Sequence, residues 1–308
     1  MMAGYLHPGY AESLAEFGIL RQLPRCGGWV LEREVPGFSY RDAMGCYPLF
    51  ACQDWSRLHT DLEGIGSDLV SLALVTDPFG EYDPVDLRRC FGDVVFPFKE
   101  HYVADLRRPL SEIVGRRHRR NARRALREVQ VSACEEPIQF IEEWIPLYGN
   151  LIDKYNISGI PAFSRRAFMK QLSIPGTVVL RASYQDITVG AQIYFVQGEV
   201  VHCHLGAASQ TGYDLGALYA LDFHSIEYFS DKAHWLNLGG SAGIASGGKD
   251  GLSLYKKGFS TETRITYFCG RIFNQEKYAE IVKAKGTVAT DYFPAYRRGE
   301  FGRVLVGT

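Results

Sequence analysis

The sequence predicts an α/β fold in two units that meet near residue 107. The chain has 308 residues, and domains usually contain about 100–200 residues, so two units fit better than one. Strand-like runs alternate with helical patterns on both sides of a basic segment at 107–127. Hydrophobic residues make up 46% and charged residues 22% of the chain, which excludes a largely disordered protein. We therefore expect units at 1–107 and 108–308.

The first unit is predicted to be a mixed sheet with few helices. Residues 10–20 have the spacing of a short amphipathic helix. Apolar, β-branched and aromatic runs predict strands at 29–34, 47–53, 69–75 and 94–98. The segment TDPFGEYDP at 76–84 is rich in Pro, Gly and Asp, which predicts a loop between the last two strands.

The second unit begins with two predicted helices. Residues 111–130 place Ala122, Leu126 and Val129 in a narrow apolar stripe. The four arginines at i, i+4, i+7 and i+11 share another face of this helix: Arg116, Arg120, Arg123 and Arg127. The pattern over 137–155 predicts a second helix, kinked at Pro146.

A sheet follows these helices. Three successive β runs are predicted, with a tight Gln197–Gly198 turn between the second and the third: 177–184, 187–196 and 199–208. His202 and His204 alternate with apolar residues and therefore share one face of the third strand. A helix at 215–229, a strand at 234–240, a glycine-rich loop at 239–251 and a final strand near 263–269 complete the unit.

Composition excludes several classes of protein. The net charge is −1, so there is no overall basic field for DNA. No apolar run reaches the roughly 18–20 residues of a membrane span, and the N-terminus lacks the pattern of a secretory signal. The seven cysteines include no CxxC pair, so neither a disulfide framework nor a metal site is expected. We expect a cytoplasmic protein.

The order of motifs in the second unit resembles a known family. An arginine-rich helix RRHRRNARRAL, a helix ending KYNI, a three-strand meander, HLGAAS, a helix, WLNLGG and GLSLYKKGFS follow one another. This order resembles the catalytic half of the Fem-type acyltransferases of the GNAT superfamily, over roughly residues 98–270. The resemblance implies tandem GNAT-like domains, each a mixed, largely antiparallel sheet flanked by helices. The first domain, 1–107, would be degenerate and the second, 108–308, catalytic.

The resemblance also implies where the donor binds. GNAT folds place donor phosphates at the N-terminus of the helix after the fourth strand, where backbone N–H groups and the helix dipole face the anion. The matching segment is SQTGYDLGALYA at 209–220. Its donor-binding residues would be Gly212, Leu215, Gly216 and Ala217. An ordinary turn with Asp214 as a helix cap is the alternative.

The arginine stripe is a second candidate site. Guanidinium groups bind phosphate oxygens in a bidentate manner, and the segment 107–127 holds nine arginines and one glutamate. The stripe is therefore interpreted as a contact surface for tRNA or for a pyrophosphate. A solvated helix with weak surface ion pairs remains the alternative.

Three residues are candidates for catalysis. His204 leads into the donor turn, and its ordinary pKa of about 6.5 suits proton uptake from an amine. The segment YKKGF resembles a Phe-Lys-x-x-Phe-like pattern of Fem-type proteins. Lys256 would then stabilise an oxyanion or a phosphate, and Tyr255 would hydrogen-bond to the leaving group. Family members often have Asp where this chain has Asn237, which cannot act as a base.

The sequence thus predicts an amide-forming aminoacyltransferase. Its donor would be aminoacyl-tRNA, and its acceptor the free amine of a peptidoglycan precursor or of a peptidyl natural product, lying between the two units. No bound cofactor is expected, and the glycine-rich loop would serve as a lid. An acyl-CoA-dependent N-acyltransferase and a non-catalytic RNA-binding module remain as alternatives.

Overall fold

The strands of the chain form one large sheet. The computed structural model describes residues 2–241, 251–288 and 290–300. Among them, eleven strands share a single sheet. They are β1 (Ile19–Leu23), β2 (Gly28–Glu34), β3 (Arg41–Gly45), β4 (Ser71–Val75), β5 (Val94–Asp105), β6 (Gln130–Ala133), β7 (Thr177–Tyr184), β8 (Ile187–Gln197), β9 (Val200–Ala208), β10 (Trp235–Gly240) and β11 (Glu262–Ile272).

Helices cover both faces of this sheet. Within the described ranges they are α1 (Pro8–Ser13), α2 (Leu58–Ile65), α3 (Pro84–Cys90), α4 (Leu110–Ile113), α5 (Arg116–Ala125), α6 (Ile141–Tyr155), α7 (Arg165–Leu172), α8 (Gln210–Leu215), α9 (Ala217–Phe229), α10 (Gly251–Lys257) and α11 (Gln275–Ala284). None of them is long and apolar enough to cross a membrane. The same residues contain no cluster of side chains able to hold a metal ion.

The sheet is largely antiparallel with one parallel pair in each predicted unit. The strand order is β1-β2-β3-β4-β11-β5-β10-β9-β8-β7-β6. The parallel pairs are β3–β4 and β9–β10, and the other neighbours run antiparallel. This repeated arrangement confirms the predicted fold class, a mixed and largely antiparallel sheet flanked by helices in each half.

The two halves exchange strands at the centre of the sheet. β5 precedes the predicted boundary at residue 107 but pairs with β10 and β11, which both follow it. β11 in turn pairs with β4 of the first half. The hydrogen bonds of each half are thus completed by a strand from the other, and the boundary at 107 stays a prediction.

Alternation along β8 separates two cores. Ile193 and Phe195 face one side, where they pack with Trp144 and the other apolar residues of α1, α6 and α7. Tyr194 faces the opposite side and packs with Phe229 of α9 and with α5. Because successive strand residues point to opposite faces, this short segment supports both helical layers at once.

Several helices and strands differ from the prediction. The predicted helix at 111–130 is divided into α4 and α5, because the Gly115 amide donates to the carbonyl of Gly258, 2.9 Å away. The helix at 215–229 is divided at Gly216, whose φ of 73° is left-handed. Residues 47–53 form no strand beyond an isolated bridge at Phe50.

Candidate functional site

A cavity of about 430 Å³ lies over the centre of the sheet. Strands from both halves line it, and many of the lining side chains are aromatic, including Phe96, Phe98 and Phe268. Polar groups converge at its inner end: His101, His202, His204, Asn237 and Lys256. An apolar cavity with a few converging polar groups is typical of a ligand site.

The polar end of the cavity lies where two parallel strands separate. β9 and β10 pair only from Val200 to His202 and from Trp235 to Asn237. The residues after each paired segment, Cys203 and Leu238 among them, line the cavity. A register shift between β8 and β9 adds to the local irregularity at His204, and such bulges are frequent beside active sites.

His204 lies in this cavity wall with both ring nitrogens engaged. Its Nδ1 lies 3.1 Å from the Tyr5 hydroxyl, and its Nε2 lies 3.2 Å from Oε1 of Gln171. The Gln171 amide nitrogen donates to Ser13, so Oε1 accepts from His204 Nε2. Burial, followed by the nearby His202, lowers the pKa of His204 to about 3. These contacts oppose the predicted role as a proton acceptor, which stays untested.

A second histidine network was missed by the sequence interpretation. Asn237 accepts a hydrogen bond from the Gly239 amide at 2.9 Å, and its Oδ1 also lies 3.1 Å from His101 Nδ1. Its side-chain nitrogen lies 3.2 Å from His202 Nδ1. His202 Nε2 is buried without a hydrogen-bond partner, 3.9 Å from the Asp77 carboxylate. Asn237 therefore orients two rings rather than acting as a base.

His101 could have been found from the strand pattern. The predicted strand stopped at residue 98, because Lys99 and Glu100 interrupt the apolar run. The observed β5 continues to Asp105, with Tyr102, Val103 and Ala104 buried. The apolar segment after His101 was the available signal for a longer strand.

Lys256 and Tyr255 lie near the separated strands but face different surroundings. The Lys256 ammonium lies 2.7 Å from the carbonyl of Gly240, at the end of β10. Tyr255 does not line the cavity, and its hydroxyl donates to the Asp222 carboxylate. Burial, followed by the charge of Asp222, raises the pKa of Tyr255 well above its ordinary value. The structure thus brings Lys256, but not the Tyr255 hydroxyl, to the cavity.

The predicted donor turn is structured by its own contacts at Gly212. The Ser209 hydroxyl accepts from the Gly212 amide at 3.1 Å. A Cβ at Gly212 would lie 2.0 Å from the carbonyl oxygen of Val189, so this glycine permits close packing on β8. Leu215 ends α8, and its side chain packs against the core beneath α9.

At the N-terminal end of α9, unlike at Gly212, some backbone amides have no hydrogen-bond acceptor among the described residues. Gly216 donates to the Tyr213 carbonyl, whereas the next amides, of Ala217 and Leu218, reach no acceptor among the described residues. α9 has 13 residues, so its dipole adds to the positive character of this end. Of the predicted donor-binding residues, Gly216 has its amide engaged and Ala217 is fully buried, so the amide of the partly exposed Leu218 is left to face an anion at this opening.

The arginine helix α5 packs along this opening of α9. His118 contacts the ring of Tyr219, and a Cβ at Gly216 would lie 3.6 Å from Ala125. A Cβ at Gly258 would lie 2.1 Å from the His118 ring. The glycine of the YKKGF motif therefore lets α5 lie close to α10.

The four stripe arginines point away from the protein. Ala122 and Ala125 are the buried residues of α5, and the helical period places the three stripe arginines within α5 on the opposite face. The predicted helix runs to residue 130, whereas α5 ends at Ala125, so Arg127 lies in the turn that follows. Each stripe residue is exposed: Arg116, Arg120, Arg123 and Arg127. None of them forms an ion pair with another described residue. The four charges are thus available to an external anion.

The predicted lid falls largely outside the described residues. Of the glycine-rich loop at 239–251, residues 242–250 are not described, so its role stays a prediction. Gly239 and Gly240 at its start line the cavity.

Solved structures with similar folds cover most of the chain. FemX aligns with a TM-score of 0.63 and 14% identity over 89% of this chain and 93% of its own. A C-terminal DUF2156 domain from Agrobacterium fabrum is described as belonging to a lysylphosphatidylglycerol synthetase. It aligns with a TM-score of 0.60 and 13% identity over 89% of this chain and 90% of its own. L-PGS from Bacillus licheniformis aligns with a TM-score of 0.55 and 14% identity over 88% of this chain and 94% of its own. No protein-family model and no curated protein sequence matches the chain.

These likenesses agree with the sheet described above. Identities of 12–14% leave the fold as the shared property. The chain has the Fem-type, GNAT-like fold, as the resemblance of its motifs predicted.

Proposed function

We propose that the chain is an aminoacyltransferase that moves an aminoacyl group from aminoacyl-tRNA to the free amine of a peptide-like acceptor. The observation that carries the proposal is the packing of the arginine helix α5 against the opening of α9. There Tyr219 contacts Tyr255 of α10, the helix whose Lys256 lines the cavity. At this opening the amide of the partly exposed Leu218 has no acceptor among the described residues, and the outer face of α5 carries exposed arginines without ion-pair partners there. Such a combination suits an anionic carrier.

The shape of the basic surface favours tRNA over coenzyme A. Arg116 and Arg123 are seven residues apart, which corresponds to about 10 Å along the helix. The stripe faces solvent rather than the cavity, so it suits the extended backbone of a macromolecule better than one pyrophosphate. FemX has a similar fold, as does the Agrobacterium fabrum domain that is described as belonging to a lysylphosphatidylglycerol synthetase.

The proposed reaction needs no cofactor of the protein's own. The acceptor amine attacks the ester carbonyl carbon of the donor, a C–N bond forms and the C–O bond to the tRNA breaks. One amine proton ends on the released ribose oxygen. Lys256 would stabilise the oxyanion that forms on the carbonyl oxygen. A tRNA-dependent reaction would place the protein in the cytoplasm, and the acceptor would be a peptidoglycan precursor or a peptidyl natural product.

The identity of the donor is tested by purifying the protein and identifying the RNA and nucleotides bound to it by mass spectrometry. Transfer to a dipeptide amine is then measured with a mixture of aminoacyl-tRNAs and separately with acyl-CoA. We expect an amide product that ribonuclease abolishes. A product that depends on acyl-CoA and survives ribonuclease would indicate the alternative N-acyltransferase. RNA binding without any amide product would indicate an RNA-binding module.

A further inference from the structure

The ring of His101 is held by an amide whose orientation is fixed. The Gly239 backbone N–H can only donate, so the Asn237 atom that it contacts at 2.9 Å is the oxygen. The same oxygen lies 3.1 Å from His101 Nδ1. Because an amide oxygen can only accept a hydrogen bond, His101 Nδ1 carries the proton. The neutral ring then has an unprotonated Nε2.

This unprotonated nitrogen lies on the cavity wall. His101 Nε2 has no hydrogen-bond partner among the residues that the structure describes. It would lie 3.4 Å from a Cβ placed on Gly240, so the glycine leaves that edge of the ring open. His101 as a whole is 8% exposed and lines the cavity. His101 therefore presents one acceptor atom at the place where β9 and β10 separate.

Burial, together with nearby positive charges, keeps this ring neutral. Burial is the main cause that lowers the pKa of His101 to about 3, and the Lys256 ammonium adds to it. Lys99 and His202 contribute in the same direction, whereas the Asn237 hydrogen bond opposes it. A neutral imidazole nitrogen accepts a hydrogen bond from an N–H group, while the neighbouring lysines disfavour a cationic ligand.

We propose that His101 Nε2 accepts a hydrogen bond from the acceptor amine and points the lone pair of that amine towards the donor carbonyl. This inference rests on the proposed function and names the acceptor subsite within it: a primary or secondary amine in its neutral form. Asn237 acts through His101, as a positioning residue that fixes which nitrogen is protonated.

The protonation of the ring is tested on the unaltered chain by ¹⁵N NMR with labelled histidine. We expect a protonated Nδ1 and an unprotonated Nε2 for His101. Glycine methyl ester at mildly alkaline pH should perturb the Nε2 resonance. N,N-dimethylglycine methyl ester has no N–H when neutral and should perturb it much less. A protonated Nε2, or equal effects of the two esters, would overturn the proposal.

Activity provides a second test, in which attack by the amine competes with attack by water on the donor. H101L should lower the ratio of amide to hydrolysed donor by about tenfold to a hundredfold, without weakening donor binding. H101Q places a side-chain amide near the position of Nε2 and should restore most of this ratio. H59Q, at an exposed histidine of the first half, is the control. An unchanged ratio in H101L would overturn the proposal.

The two proposals can fail separately. If no donor gives an amide, the proposed function fails, and the ¹⁵N experiment still decides whether His101 binds an amine. If the amide forms but the ratio does not respond to His101, the transferase stands and the acceptor subsite is wrong.

Discussion

The arginine stripe of α5 gives the sharpest quantitative prediction. Replacing its four arginines by glutamine should flatten the salt dependence of tRNA binding and leave the fold intact. The replaced residues are Arg116, Arg120, Arg123 and Arg127. All four are exposed, and the three within α5 lie opposite the buried Ala122 and Ala125. Glutamine is also a good helix former, so no loss of stability is expected.

The size of the effect follows from the number of phosphates contacted. Each contact contributes about 0.7–0.9 to the slope of log K against log salt, so four contacts contribute about 3. Between about 50 and 200 mM salt, the unaltered protein should therefore lose about 60-fold more affinity than the variant. Fluorescence anisotropy with labelled tRNA over this range measures both slopes.

A matched control removes the same charge elsewhere on the surface. The exposed arginines for this purpose are Arg57, Arg88, Arg89 and Arg166. Their replacement by glutamine should change the slope little, because they lie outside the arginine stripe. Equal slopes for the stripe variant and the unaltered protein would refute the phosphate-binding role of α5.

Three further single substitutions test other parts of the account. Lys256→Ala removes the ammonium beside Gly240 and should lower kcat by about a hundredfold with little change in donor affinity, measured by single-turnover kinetics. In the folded protein the pKa of His204 is about 3, whereas in the unfolded chain it is about 6.5. The unfolded chain therefore binds a proton at this histidine first, and the protein loses stability as the pH falls below about 6.5. Between about pH 7.5 and 5, the free energy of unfolding of His204→Gln should therefore fall by about 2 kcal/mol less than that of the unaltered protein, measured by urea unfolding. Gly212→Ala forces a Cβ against the Val189 carbonyl and should lower the free energy of unfolding by about 1–3 kcal/mol, from the same urea curves.

Each of these substitutions has a control in the chain. Lys257→Ala, at the exposed neighbouring lysine, should retain turnover, and an equal loss would contradict a specific role for Lys256. His59→Gln, at an exposed histidine, should leave the acid sensitivity unchanged. Gly149→Ala has no atom within 4 Å of its new Cβ and should stabilise helix α6 slightly. A stable Gly212→Ala variant would show that the turn does not need close packing on β8.

The second half of the fold was predictable from local patterns. The runs at 177–184 and 187–196 became β7 and β8 with little change in their bounds. Runs rich in β-branched and aromatic residues give such strands a strong signal. Gly216 divides the predicted helix because its left-handed conformation cannot continue a helix, a feature that glycine alone does not reveal.

The exchange of β5 and β11 could not be predicted in the same way. Which strands pair depends on contacts between residues more than 150 positions apart, such as Val103 and Glu262. The hydrogen-bond partner of the His101 ring depends on the same exchange, since Asn237 reaches it from β10. The sequence placed His202 and His204 on one strand face, but the partners of their ring nitrogens came from distant segments.

Hydrogen exchange measured by mass spectrometry tests the central claim most directly. The account predicts that tRNA, or its acyl-carrying form, protects the peptides that cover α5 and the opening of α9 at residues 217–220. Protection of both segments together would support an anionic carrier bound beside the cavity. Exchange at these two segments that is unchanged by tRNA and by coenzyme A alike would contradict it.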